Sequence, residues 1–297
     1  MNDTPKDRDL LTVAWWNVGI SYVKGKRRVP TRDHDERLRV APQIVDVLIR
    51  RYGVDLLFLG EVGPDFGDCV RPYSWVWGGD GARRLGDMGC VVRDEERTAM
   101  LESATPISVL GRLNPASLDG RIVQYTFAVR SIALTVFSVH LHSDIRDQGP
   151  LRRDAASVLF DRASEKQLTV PHVLVVGDMN EEPYGQAVSE VLKTSRSKRL
   201  CAGNTLLYNP CWRMMHDHGD QLGGTARGNG HFAAWKVYDQ VAMSSAFVRT
   251  DSGLVFTGRC EVVEPCGYMI ETGGRDVRVF EHFDHLPIVV EFEVKHE

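Results

Sequence analysis

The chain has 297 residues, 43% of them hydrophobic and 26% charged, which is enough for a large α/β unit with a substantial core. A net charge of −4 weighs against strong nonspecific binding to long nucleic acid, because that binding rests on cations that neutralise phosphates. The polar start and the lack of any apolar run near the roughly 18 residues of a membrane span predict a cytoplasmic protein without membrane association.

Six cysteines occur without a paired C-x-x-C unit, so neither a zinc site nor a disulfide framework is signalled, and free thiols are expected. No linker, low-complexity block or internal repeat divides the chain. The expectation is a flexible segment over 1–10 followed by a single domain over 11–297.

In chain order, residues 11–16 form a β-prone run, and Asn17 stands where it gives way to a glycine-containing loop. Leu38, Ala41, Val45, Leu48 and Tyr52 then recur at helical spacing, with Gly53 as the stop. Residues 54–59 are almost unbroken apolar sequence ending in Gly60-Glu61, the pattern of a strand buried on both faces with a carboxylate at its tip. Strand-like runs follow at 89–92, 107–110, 122–129 and 132–139, the last delivering His140.

A second helical stripe (Leu151, Ala155, Val158, Leu159) precedes the apolar run 173–176, which ends in Gly177-Asp178-Met179-Asn180. A short helix carrying Val188, Val191 and Leu192 comes next, and the polar, Gly-rich stretch 195–233 is expected to be a substrate-side loop. Finally 235–243 brings in Asp239, and Phe283-Asp284-His285 precedes the apolar run 286–292. Helices alternating with strands early, then mostly strands, favour stacked sheets with helices outside.

Taken singly, these polar residues have ordinary explanations: Asn17 as a turn or cap, Glu61 as a solvated strand end, Asp178 with Asn180 as a side-chain turn, a histidine as a structural one. Taken together, several apolar runs each end in a carboxylate, amide or imidazole, which is how strand ends assemble a site in layered folds. Carboxylate and amide oxygens suit Mg²⁺ or Mn²⁺, and an imidazole beside a carboxylate suits proton handling or stabilisation of phosphoryl charge.

The wording and order of seven motifs resemble the endonuclease/exonuclease/phosphatase superfamily: Trp16-Asn17-Val18, Leu59-Gly60-Glu61, Gly89-Cys90-Val91-Val92, Ser138-Val139-His140-Leu141, Gly177-Asp178-Met179-Asn180, Tyr238-Asp239-Gln240-Val241 and Asp284-His285-Leu286-Pro287. The resemblance implies a DNase I-like four-layer α/β sandwich of two packed β-sheets flanked by helices. It implies Glu61 as principal metal ligand with Asn17 and Asp284 near the ion, and Asp178 as the group that positions or deprotonates water. It further implies Asn180 as an orienting group, Asp239 holding His285 against a phosphate oxygen, and His140 as another phosphate contact. Two positions depart from the family wording: Gly60 stands where a glutamine is frequent, and Phe283 where a serine is usual.

The expected activity is divalent-metal-dependent phosphodiester hydrolysis, with a nucleic acid as the substrate and no obligate protein partner. Arg27, Arg28 and Arg227 are candidate backbone contacts, and His142 is a second-choice phosphate contact that would share the face of His140 if the strand continued. Trp75 and Trp77 are expected to pack in the core rather than stack on bases. The alternatives are a small-molecule or nucleotide phosphatase of the same fold and a binding module without catalysis.

Overall fold

Alternation along the central strands sets the architecture. In β1 (Leu10–Asn17), Leu11, Val13 and Trp15 face one cluster of buried side chains, whereas Ala14 and Trp16 face another. In β2 (Leu56–Gly60), Leu56 and Phe58 divide from Leu57 and Leu59 in the same way. A strand that is apolar on both faces needs a cover on each side. The computed structural model of the chain supplies both covers; it describes residues 9–20, 32–78, 88–93, 100–107, 121–143, 149–203, 205–215, 224–227, 235–264 and 282–295.

One sheet has six strands in the order β14-β15-β1-β2-β4-β3, and the other has seven in the order β5-β6-β7-β8-β13-β10-β9. The strands span Ser74–Trp77 (β3), Met88–Val92 (β4), Met100–Pro106 (β5), Ile122–Val129 (β6), Ile132–His140 (β7) and His172–Asp178 (β8). Those later in the chain are Thr194–Ser195 (β9), Leu207–Tyr208 (β10), Ala226–Arg227 (β11), Trp235–Lys236 (β12), Asp239–Met243 (β13), Leu254–Val262 (β14) and Ile288–Val294 (β15). The short β11 and β12 pair with each other.

The two sheets share one apolar layer, in which Trp15, Phe58, Tyr125, Phe127, Val136 and Val176 are buried together. Helix α1 (Arg32–Arg51) covers the outer face of the six-stranded sheet through Val40, Ala41, Ile44, Val45 and Leu48. Helix α2 (Gly149–Gln167) covers the seven-stranded sheet through Ala155, Ala156, Leu159 and Ala163. The result is a four-layer α/β sandwich of the DNase I-like kind.

Gly53, at φ 67°, follows the end of α1, a backbone setting that glycine adopts without penalty. The run expected at 107–110 begins earlier: β5 closes at Pro106, and 108–110 lie outside the described residues. The short helix expected near Val188 is a single π-helical turn, Ala187–Val191. The stretch read as a loop from 195 carries structure: helix α3 (Lys198–Ala202), β10, a 3-10 turn at Pro210–Met215 and, further on, β11. Trp75 and Trp77 are half-buried and pack against the cluster under α1. The segment 1–8 and the candidate contacts Arg27 and Arg28 lie outside the described residues.

Candidate functional site

Strand direction gathers the polar termini at one end of both sheets. β1 runs parallel to β2 with Asn17 opposite Gly60, so Asn17 and Glu61 emerge together. β7 runs parallel to β8 with His140 opposite Asp178, so these two emerge together from the other sheet. β13 is antiparallel to β8, and its first residue, Asp239, lies opposite Asp178. β15 is antiparallel to β1, which brings the preceding Asp284-His285 to the same end, where His285 bridges Ala226.

At the centre, His285 Nδ1 lies 2.7 Å from Asp239 Oδ2, and its Nε2 lies 4.0 Å from Asp178 Oδ2. The other Asp239 oxygen accepts the indole N–H of Trp15 at 2.6 Å, and the Asp239 N–H donates to Thr225 Oγ1 at 2.8 Å. Asp239 is fully buried, so each of its groups needs such a partner. Burial, which disfavours the imidazolium, is outweighed at His285 by the charge and hydrogen bond of Asp239, with Asp178 and Asp284 adding to it; the ring is raised to about 10. It is therefore a cation at neutral pH.

Burial, followed by the charge of Asp239, pushes the Asp178 carboxyl above its ordinary value, while His285, His140 and the Asn180 N–H pull it back. A carboxylate so placed is a better proton acceptor than an exposed one. Asn180 N donates to Asp178 Oδ1 at 2.8 Å, and Asn180 Nδ2 to the Leu141 carbonyl at 3.0 Å. Glu61 and Asn180 both hold left-handed backbone, φ 51° and 50°, each just after a strand end. That conformation costs a non-glycine residue about 1–2 kcal/mol and is concentrated at functional sites.

The outer half of the site is more open. Asn17 Nδ2 lies 3.3 Å from Glu61 Oε1 and 3.2 Å from Asp178 Oδ2, while its Oδ1 accepts the Gly19 N–H. His140 Nε2 is 3.5 Å from Glu61 Oε1 and 4.0 Å from Asp178 Oδ2. Arg37 reaches from α1 across the Phe283 ring to within 3.7 Å of Asp284 Oδ1.

Among the described residues, two places have ligand atoms suited to a cation. Asp178, Asp239 and His285 offer atoms within 4.8 Å of one another, but both Asp239 oxygens already accept hydrogen bonds. Glu61 and Asp284, with side chains 35% and 51% exposed, ring the bare Cα of Gly19. A Cβ built at Gly19 would lie 2.8 Å from Arg37 Nη1, 3.7 Å from Asp284 Oδ1 and 4.0 Å from Glu61 Oε2. The two part-exposed carboxylates are hard donors of the type Mg²⁺ or Mn²⁺ take, with the Arg37 guanidinium as the cation now nearest Gly19.

This arrangement can be set beside known proteins. No protein-family model matches the sequence, and no curated protein matches it. Solved structures do match. A Bacteroides thetaiotaomicron endonuclease/exonuclease/phosphatase family protein superposes with TM-score 0.64 at 13% identity, over 97% of this chain and 98% of that one. The fold is that of the endonuclease/exonuclease/phosphatase proteins. D. rerio TDP2 complexed with a single-strand DNA product matches with TM-score 0.62 at 15% identity, over 95% and 98% of the two chains. A mannosyl-6-phosphatase from B. thetaiotaomicron matches with TM-score 0.64 at 13% identity, over 95% and 99%.

Within the endonuclease/exonuclease/phosphatase fold, both departures in wording have a physical basis. A Cβ at Gly60 would stand 2.7 Å from the Trp15 ring, so glycine there makes room for the indole that holds Asp239. Phe283 is buried against Trp16, with ring centroids 4.8 Å apart, and presents its face to Arg37. Trp15, Thr225 and Arg37 are the residues that sequence reading missed. Trp15 sits in an apolar strand, and nothing local marks its N–H as a partner of a residue 224 positions away.

β7 ends at His140, so His142 does not continue its strand face; it is buried, and its carbonyl accepts Arg152 Nη1 at 3.0 Å. Arg227 is exposed, and its N–H donates to the Asp284 carbonyl at 2.8 Å, which places its backbone next to Asp284.

Proposed function

We propose that the chain is a divalent-metal-dependent phosphodiester hydrolase that acts on nucleic acid. The observation that carries this reading is the His285 ring, clasped by Asp239 at 2.7 Å with its Nε2 4.0 Å from Asp178, at an end of the sheets shared with Glu61, Asn17 and His140. Asp178, buried and raised, accepts a proton from the attacking water, and Asn180 fixes the carboxylate through its backbone N–H. His285, kept protonated by Asp239, offers its Nε2–H to a phosphate oxygen as charge develops. His140, at the end of the central strand β7, supports the phosphate from the seven-stranded sheet.

Glu61 and Asp284, with Asn17 beside them, would hold Mg²⁺ or Mn²⁺, whose chemistry is neutralisation of charge on the phosphate and the leaving oxygen. Arg227 would contact the substrate backbone. The single-strand DNA product held by the similar TDP2 supports a nucleic-acid substrate. The similar mannosyl-6-phosphatase favours a second reading, a small-molecule phosphatase, because its fold likeness is equally close.

A substrate panel with Mg²⁺ and Mn²⁺ separates the two: single-stranded and double-stranded DNA, RNA, bis-p-nitrophenyl phosphate, and sugar phosphomonoesters. Cleavage of the oligonucleotides and the diester supports the first reading. Turnover confined to phosphomonoesters replaces it with the second, and binding without turnover replaces it with a non-catalytic module.

A further inference from the structure

Outside the candidate site, the fold brings together two cysteines that the sequence keeps apart. Cys211 lies in the 3-10 turn after β10, and Cys260 lies in β14, at the edge of the other sheet. Their sulfurs are 3.8 Å apart. Cys211 is fully buried and Cys260 only partly so, which makes Cys260 the member of the pair nearer to solvent. We propose that this pair is a redox modification site, at which a peroxide converts the two thiols into an intramolecular disulfide.

The surroundings give the pair both anchorage and slack. The Cys211 N–H donates to Asn209 Oδ1 at 2.9 Å, and the Cys211 sulfur accepts the Val241 N–H at 3.2 Å, which holds that side in place. On the other side, β14 breaks register with β15 between Phe256 and Cys260, and Gly258 there has φ 105°. An irregular strand can move the remaining distance to a bond of about 2 Å, whereas a regular ladder would resist. Arg213 Nη1 already reaches the Gly258 carbonyl at 3.3 Å, so the turn and the irregular strand meet without the bond.

The chemistry balances with the peroxide alone. The Cys260 thiolate attacks the O–O bond, becomes a sulfenic acid and releases water; the Cys211 thiolate then displaces hydroxide from that sulfur, and a second water forms. Two electrons leave the sulfurs, and both thiol protons end in water. Contact with the Cys211 sulfur, then burial, push the Cys260 thiol well above its ordinary value, so the reaction accelerates as pH rises. The bond ties a turn of the seven-stranded sheet to a strand of the six-stranded one. It closes a loop that carries Asp239, and Val241, whose N–H the sulfur holds, stands two residues further on.

The test uses the full chain with Cys69→Ser, which removes an exposed thiol able to cross-link molecules. The protein is treated with hydrogen peroxide at neutral and at mildly alkaline pH, alkylated, and mapped by mass spectrometry without reduction. The expected result is a peptide joined through Cys211 and Cys260 that forms faster at the higher pH, is reversed by dithiothreitol, and raises Tm by several degrees. Adding Cys260→Ser, at the partly exposed member of the pair, should abolish that peptide and the Tm shift while leaving the reduced Tm near that of the parent. Bridging through another cysteine, over-oxidation without a bridge, or unmodified thiols at the higher pH would overturn the proposal.

Discussion

Asp239→Asn isolates what the Asp239 carboxylate does for His285. The ring rests at about 10 against an ordinary 6.5, a preference for the cation of roughly 5 kcal/mol at about 1.4 kcal/mol per unit. Burial opposes that preference, so without the Asp239 charge the ring should fall below about 10, held up only by Asp178 and Asp284. The hydrogen bonds change as well. Trp15 and His285 each donate to a separate Asp239 oxygen, and an amide offers only one oxygen; its NH₂ must face either a donor or a His285 ring in the other tautomer.

The assay is an NMR titration of the His285 Cε1–H in wild type and variant, with kcat beside it. A His285 that still titrates near 10 in the variant would refute the reasoning. The sign of the stability effect follows from the same shift. A ring raised in the folded state contributes stability that is complete below about 6.5 and is lost as pH climbs towards about 10. Unfolding free energy should therefore decline across that window in wild type, and decline less in Asp239→Asn.

Trp15→Phe removes the donor to Asp239 Oδ1 and leaves a buried oxygen without its partner, which should cost about 1–3 kcal/mol by denaturant titration and lower kcat more than KM rises. Gly60→Ala forces the Trp15 ring to move, because the new Cβ meets it at 2.7 Å; the expected loss is about 1–3 kcal/mol with a fall in kcat like that of Trp15→Phe. Gly177→Ala sets a Cβ 2.0 Å from the Val139 carbonyl between two central strands, and should be the most destabilising of these changes in a thermal melt. Chelation by EDTA should abolish turnover without changing the far-UV circular dichroism, and Mg²⁺ or Mn²⁺ should restore it.

The layers of the fold were legible because strands such as 54–59 and 173–176 are apolar on both faces and end in a polar residue. Asp178 opposite both His140 and Asp239 follows from strand direction once the sheet order is known, but sheet order is not written in any local run. Strands β9, at the sheet edge, and β10 beside it have two residues each and carry no period, so the stretch that begins within β9 read as a loop. The support of Asp239 by Trp15 and Thr225 and the meeting of Cys211 with Cys260 depend on contacts between distant segments. His142 shows the reverse case: the two-residue alternation that suggested it fails because β7 stops at His140.

The central claim is that one end of this sandwich hydrolyses a phosphodiester, with Asp178 as proton acceptor and His285 as its cationic partner. The most direct measurement is the initial rate on a phosphodiester substrate with saturating Mn²⁺, for wild type, Asp178→Asn and His285→Ala, each checked for an unchanged fold by circular dichroism. Turnover in wild type and a fall of at least about a hundredfold in each variant are expected. Rates within a few-fold of wild type in both folded variants would contradict the claim.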